Sequence, residues 1–462
     1  MTRQHISDHG ISGSLTQFLA DSKWEEVPAG VRHEAKRSLL NFFATALGGC
    51  RDDAIELALR TLLDFCGPRI AAIIGRAERA DPLTAAFLNA AGGNVFDFDD
   101  THIPTIIHPT APVAAALFAL AARCRITGQM FLHAFVLGVE TECRIGNSVS
   151  PTHYRRGWHI TATCGVFGAA AAAGKILGLD QRRMLWALGN ASAQSAGLVE
   201  TLGSMAKSIG VGNSARNGLI SALLAENGFV GPDRPIEGPR GFTKVMSEQR
   251  DLSRISEGLG ASWELLCNTY KPYPCGVVLN PVIEACLNLY REHDLSSTGI
   301  RRIVVTGHPL LRERADRPCV TTGREAQVSA QHSVAIVLLQ GAAGVLQYTD
   351  AAVHDPAVKE LRAKVLVEDD AAFAVGAARV NIETTNGVVL TAQISEARGS
   401  LTRPMTDSEL ERKLVSLVEY GCPGFRTDPL IDAIWSMDRC GDVRGIIDMT
   451  SVDVGRFASK SG

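Results

Sequence analysis

Apolar residues recur every three to four positions through roughly the first half of the chain, the spacing of a helix with one buried face. In "VPAGVRHEAKRSLLNFFATALGG", Val31, Ala35, Leu39, Phe42 and Ala46 fall on one stripe, with Pro28 near the start and Gly48–Gly49 at the stop. "DPLTAAFLNAAGG" opens on Asp81 as an N-cap with Pro82 at the first helical position, and closes on glycines. Further helices are expected at Pro112–Arg123, Thr127–Gly146, Thr161–Leu177, Asp180–Ser195 and Ser214–Asn227. Several are so rich in Ala and Gly that they lack a polar face, so they belong at the centre of a bundle.

The period changes after about residue 265. "GIRRIVVTGHP" alternates like a strand, and "ARVNIETTNGVVLTAQIS" is two β-branched runs joined by Asn386–Gly387, a strong hairpin signal. Helical stretches around Pro281–Glu292, Ala330–Gln340 and Pro356–Val365 lie among them. Helical spacing returns with "TDSELERKLVSLVE". The expected fold is therefore mainly α with an α+β second domain. A large helical domain, residues 1–264 completed by 398–462, surrounds an α+β insertion over 265–397.

Composition narrows the class. A chain of 462 residues with 46% hydrophobic and 21% charged residues is that of a globular protein, not a disordered one. A net charge of −3 and the absence of any Lys/Arg run argue against nucleic acid as a partner. The most apolar runs stop at Arg123 and Lys175, short of a membrane span. The eleven cysteines form no CxxC pair, which fits reduced thiols, and the first residues lack a signal-peptide core. A cytoplasmic protein is expected.

Four segments carry chemistry. "NVFDFDDTHIPTIIHPTAP" gathers Asp97, Asp99, Asp100, His102 and His108. Metal ligation, acid–base work and a helix-end loop with capping aspartates all suit these residue types. Metal ranks third, because zinc ligands usually come at tighter spacings and magnesium usually comes with a phosphate. An imidazole beside carboxylates is the minimal proton-transfer pair. In "HYRRGWHITATCGVFGAAAAAGKILGL", His159 directly precedes a helix of tiny residues whose N-terminal N–H groups could take a carboxylate, although a histidine there often only caps or packs. In "ETLGSMAKSIGVGNSARNG", Gly210, Gly212 and Ala215 mimic a dinucleotide fingerprint, but no strand precedes them and no acidic residue follows at the needed distance. They read instead as glycines before a helix, an anion cradle with Lys207 just upstream. In "NTYKPYPCGVVLNPVIEA", Lys271 is set among prolines and aromatics, unlike a solubilising lysine.

Together and in this order, "DFDDTHIPTIIHP", "RGWHITATCGVFGAAAAAGKILGL", "MAKSIGVGNSARNGL" and "YKPYPCG" resemble the MmgE/PrpD family, which includes 2-methylcitrate dehydratase, cis-aconitate decarboxylase and iminodisuccinate epimerase. The resemblance covers essentially the whole chain. It implies a large all-helical domain built from both chain ends, a smaller α+β lid, an active site at their junction, and a homodimer. It implies catalytic roles for Asp97, His108, His159 and Lys207, and substrate binding by Thr101, Lys207 and Lys271, with no metal and no cofactor.

The activity so implied is cofactor-free acid–base chemistry beside a carboxylate, most directly dehydration of a 2-methylcitrate-like hydroxy acid. Decarboxylation of cis-aconitate and epimerisation of a dicarboxylate are the alternatives within the enzyme class. A carboxylate-binding relative without turnover is the alternative outside it. Two departures bear on the choice. Many relatives carry a histidine where this chain has Asn280, and the decarboxylase site tyrosine has no counterpart around "DRPCVTTGREAQ". The second takes support from the decarboxylase reading.

Overall fold

The computed structural model describes residues 10–293 and 299–452. They form two compact units: the described parts of Met1–Val95, Asp99–Asn268 and Asp407–Gly462, and a second unit of Phe96–Phe98 with Thr269–Thr406. The chain is mainly helical, with a small mixed sheet in its C-terminal region.

The first unit opens with α1 (Gly10–Asp21), α2 (Ala29–Gly49) and α3 (Asp53–Leu63). It continues through α4 (Pro82–Asn94), α5 (Thr110–Leu120) and α6 (Gly128–Val149), then α7 (Ile160–Ile176), α8 (Gln181–Ser192) and α9 (Ala206–Glu226). All five stripe residues expected on α2 are buried. Asp81 caps α4 as its sequence predicts, its carboxylate accepting from Leu83 N at 2.9 Å and Thr84 N at 3.2 Å.

The small-residue helices lie at the centre. Every residue of α7 from Ile160 to Gly174 is buried. Its neighbours approach so closely that a Cβ on Gly138 of α6 would stand 2.8 Å from Gly168 O, and one on Gly218 of α9 would stand 2.4 Å from Ala169 Cβ. One expectation changes here. The helix expected at Ser214–Asn227 begins at Ala206, so Gly210 and Gly212 lie inside it, not before it. Gly212 serves packing, since a Cβ there would meet Phe87 at 2.7 Å. Tertiary contact thus rewards glycines that local propensity scores as breakers.

The second unit begins with α10 (Asn280–Glu292) and adds α11 (Ala330–Gln340). Its strands are β1 (Ile300–Gly307), β2 (Val365–Asp369), β3 (Ala378–Thr384) and β4 (Val389–Ile394), in sheet order β2-β1-β3-β4. β1 runs parallel to β2, with Ile303 opposite Val365, and antiparallel to β3, with Ile303 opposite Ile382. The β3–β4 hairpin turns at Gly387, whose φ of +85° suits the residue, and pairs Glu383 with Val389. Val282, Ile283 and Cys286 of α10 share a core with Ile303, Val305, Val380 and Ile382. The helix expected at Pro356–Val365 ends at Arg362, and Val365 opens β2. A strand paired only through a distant partner gives weak local signal, which is why its period was hidden. The chain then returns to the first unit as α12 (Asp407–Gly421) and α13 (Asp428–Trp435). Among the described residues no helix is long and apolar enough to cross a membrane.

Candidate active site

The aspartate- and histidine-rich segment folds as a closed loop between α4 and α5. His102 N donates to Ile107 O at 2.8 Å and Ile106 N to His102 O at 2.7 Å, so Thr101 and His108 stand at the two ends of a tight turn. Ile106 pays with a left-handed φ of 60°, an uncommon conformation for a β-branched residue. The His102 side chain anchors this turn, with Nδ1 2.7 Å from Thr105 Oγ1 and Nε2 3.0 Å from Glu264 Oε2.

His108 is buried and oriented from several sides. Its Nδ1 donates to Asp100 O at 2.6 Å, with Thr101 Oγ1 at 3.4 Å and Asp99 Oδ1 at 3.6 Å. That hydrogen bond places the proton on Nδ1 and leaves Nε2 as the basic nitrogen. Its backbone N–H donates to Thr161 Oγ1 at 3.0 Å, tying the loop to the first turn of α7. His159 is the N-cap residue of that same helix, with its N–H bonded to Gly197 O at 3.1 Å. Lys207 lies in the first turn of α9, whose Gly210 comes within 3.0 Å of Ala162 when given a Cβ. The start of α7 therefore gathers His108, His159 and the opening turn of α9. All three side chains are buried, and a helix N-terminus favours negative charge.

His153 shows what a packed histidine looks like in the same region. Thr163 Oγ1 lies 2.7 Å from one ring nitrogen and Met246 O 2.9 Å from the other, and burial pushes its pKa down to about 4.

Two buried acids lie in this region: Asp100, which the segment's residue types single out, and Glu142, which they do not. Burial pushes the Asp100 carboxyl up to about 7, with Asp99 adding to the rise, although Thr110 and Asn268 hydrogen-bond it. Burial, with Asp100 as a neighbouring charge, drives Glu142 well above the carboxylate range, and among the described residues neither of its oxygens has a hydrogen-bond partner. Both therefore tend to hold a proton. Asn268 Nδ2 reaches Asp100 Oδ2 at 2.7 Å from a distant part of the chain, a link that no local motif signals.

In the second unit, Lys271 Nζ lies 3.0 Å from Asp97 Oδ1 and 3.0 Å from Asp97 O. Asp97 adopts a φ of 51°, left-handed for a non-glycine residue. Phe96 O accepts from Gln327 Nε2 at 3.0 Å, which secures the strained residue's neighbour. Asp99 Oδ1 is the carboxylate oxygen 3.6 Å from His108 Nδ1, and Asp97 forms its ion pair with Lys271. A donor set suited to a soft divalent ion occurs at His102, Glu264 and Cys267, whose ligand atoms lie within 4.8 Å of one another. The Thr105 and Glu264 hydrogen bonds already satisfy that imidazole.

The chain matches the MmgE/PrpD N-terminal domain over residues 13–255 and the MmgE/PrpD C-terminal domain over residues 273–436. It belongs to the MmgE/PrpD family. It is 26% identical over 490 aligned positions to a cis-aconitate decarboxylase of Aspergillus terreus, covering 98% of this chain and 99% of that protein. A cis-aconitate decarboxylase-like protein of Aspergillus oryzae is 27% identical, over 96% of this chain and 97% of its own length. The human cis-aconitate decarboxylase is 24% identical over 83% of this chain and 82% of its own length. The chain is therefore an MmgE/PrpD family enzyme, matched by that family's models over both of its halves. Of the two departures from the family, Asn280 is buried at the first position of α10, and residues 316–327 hold no tyrosine.

Proposed function

We propose that the protein is a lyase that moves a proton at a carbon beside a carboxylate of a small di- or tricarboxylic acid, with decarboxylation of cis-aconitate as its reaction. The observation that carries the reading is the convergence of His108, His159 and the start of α9 on the N-terminus of α7, with the His108 tautomer held by Asp100 O. Relatives of that activity aligned along nearly the full length of both chains favour decarboxylation over the other reactions.

The common difficulty is an electron pair developing beside a carboxylate. Lys207 and Lys271 hold substrate carboxylates, aided by Thr101 and by N–H groups at the start of α7, and so stabilise that charge. Asp97 fixes the Lys271 ammonium. In decarboxylation the C–C bond breaks, carbon dioxide leaves, and the remaining electron pair takes a proton from one histidine. The other histidine supports the protonation state of the first. Neither step draws on a redox partner. The smaller unit as a lid, and a homodimeric assembly, belong to the same reading.

Dehydration of a 2-methylcitrate-like hydroxy acid is the second reading, kept because the decarboxylase site tyrosine has no counterpart in residues 316–327. There one histidine removes the proton beside the carboxylate and the other protonates the leaving hydroxyl. Proton NMR of EDTA-treated protein in D₂O, with cis-aconitate, citrate, 2-methylcitrate and an aminodicarboxylate, tests both. Carbon dioxide release with one deuterium gained per product supports decarboxylation. Loss or gain of water moves the assignment to dehydration, and exchange at a stereocentre without elimination moves it to epimerisation. No change on any substrate sinks the proposal.

A further inference from the structure

Two buried thiols from opposite ends of the chain meet in the first unit. Cys50 follows the last residue of α2 and Cys422 follows the last residue of α12, yet their sulfurs stand 3.2 Å apart. This is closer than two sulfurs ordinarily sit without a bond or a shared hydrogen. The contact is built by backbone on three sides. Gly75 O lies 3.8 Å from each sulfur, Gly421 O lies 3.8 Å from Cys50 Sγ, and Leu47 O lies 3.6 Å from Cys422 Sγ. Glycine is required at two of these points. A Cβ on Gly75, at φ +74°, would strike Cys50 Sγ at 2.5 Å, and one on Gly421 would strike Leu47 O at 2.2 Å. The two helix ends are therefore locked together with their thiols facing.

The geometry points to Cys50 and Cys422 as a site of reversible oxidation, forming an intramolecular disulfide that joins the N-terminal and C-terminal parts of the helical unit when the protein meets a peroxide. Closing from 3.2 Å to a bond of about 2.05 Å needs only about 1 Å of sulfur travel. Cys422 is the attacking sulfur. The hydrogen bond from Cys50 holds its pKa below the ordinary thiol range, with Arg51 and Arg76 adding to that effect against the opposing cost of burial. Arg51, partly exposed, reaches Gly75 O at 3.5 Å beside the pair.

The steps balance. The Cys422 thiolate attacks one peroxide oxygen, the O–O bond breaks, and after protonation Cys422 is a sulfenic acid with one water released. The Cys50 sulfur then attacks Cys422 Sγ, expelling the hydroxyl as a second water. Two thiols are oxidised by two electrons and one hydrogen peroxide is reduced.

The test treats the full-length protein with hydrogen peroxide, traps remaining thiols with N-ethylmaleimide in denaturant, and maps peptides by mass spectrometry. The expected major product is a peptide pair joined through Cys50 and Cys422, lost on treatment with dithiothreitol, while buried Cys143 and Cys164 are recovered as maleimide adducts. The Cys50→Ser variant should lose the linked pair and leave Cys422 as a sulfenic acid that dimedone traps. Recovery of Cys50 and Cys422 as maleimide adducts, under conditions that oxidise exposed Cys319, overturns the proposal. So does their capture in disulfides with other cysteines. If Cys50→Ser fails to fold, Cys422→Ser tests the same link, and dimedone capture at Cys50 in that variant would overturn Cys422 as the attacking sulfur.

Discussion

At the scale of single residues, the proposed site rests on imidazoles and ammonium groups whose behaviour is set by what holds each of them. His108 is oriented by Asp100 O at 2.6 Å, with Thr161 fixing its backbone. On the proposed mechanism, His108→Ala and His159→Ala each lower kcat by about 10²- to 10⁴-fold, the usual contribution of a positioned proton-transfer group. Lys207→Met lowers kcat as well as raising KM, because on that mechanism the ammonium both holds a carboxylate and stabilises the charge that develops beside it. Steady-state turnover followed by NMR, with circular dichroism to confirm folding, separates the cases. A carboxylate-binding protein without turnover predicts instead that only the lysine change matters, read as lost affinity.

Asp100 adds a pH signature at the same scale. Its folded pKa of about 7 lies above its ordinary value of 3.8, so between those values the native state holds a proton that the unfolded chain has released. Stability is then fully present at the acidic end of the window and falls as pH rises towards 7. Asp100→Asn removes this titration. Urea melts at pH 5 and pH 8 should show the variant gaining about 2–3 kcal/mol relative to the parent at the higher pH. An unchanged gap would mean that Asp100 is ionised throughout.

At the scale of elements, α6, α7 and α9 form a core whose spacing is set by glycine. A Cβ on Gly218 would stand 2.4 Å from Ala169 Cβ and 2.6 Å from Val166 O, contacts that only helix displacement relieves. Gly218→Val is expected to cost about 3 kcal/mol, as overpacked cores do. Gly30, in the first turn of α2, meets nothing within 4 Å. Gly30→Ala should raise stability by about 0.5–1 kcal/mol, because it only restricts the unfolded chain. Thermal unfolding of the two variants tests the contrast, and equal shifts would deny that the glycines differ in role.

At the scale of the whole molecule, the first unit is completed by the last part of the chain. Arg37 of α2 pairs with Asp407 at the start of α12, Lys413 Nζ donates to Asn41 Oδ1 at 2.7 Å, and Gly48 meets Leu417. These contacts bury Leu410, Leu414, Leu417 and Val418 together with much of α2. A chain ending at Thr406 leaves that face of α2 uncovered. It is expected to aggregate or to lose its cooperative transition, as read by solubility and near-UV circular dichroism. A soluble, cooperatively melting truncation would show that α12 is an accessory.

What the sequence determined alone is whatever depends on neighbours within a few residues. The stripe of α2, the Asp81 cap and the Asn386–Gly387 hairpin are local patterns, and local dihedral preference and periodicity encode them. The segment from Asn94 to Pro112 was legible as chemistry by composition. Tertiary structure decided what depends on groups far apart along the chain. It extended α9 back to Ala206, because packed glycines gain from contact what they lose in propensity. It made Val365 the start of a strand by supplying β1 as a partner. It set His102 against Glu264 and Asn268 against Asp100, pairs that no spacing reveals. It also brought Cys50 to Cys422 across a separation of 372 residues. Periodicity can say which face of an element is buried, but only the packed fold says what that face meets.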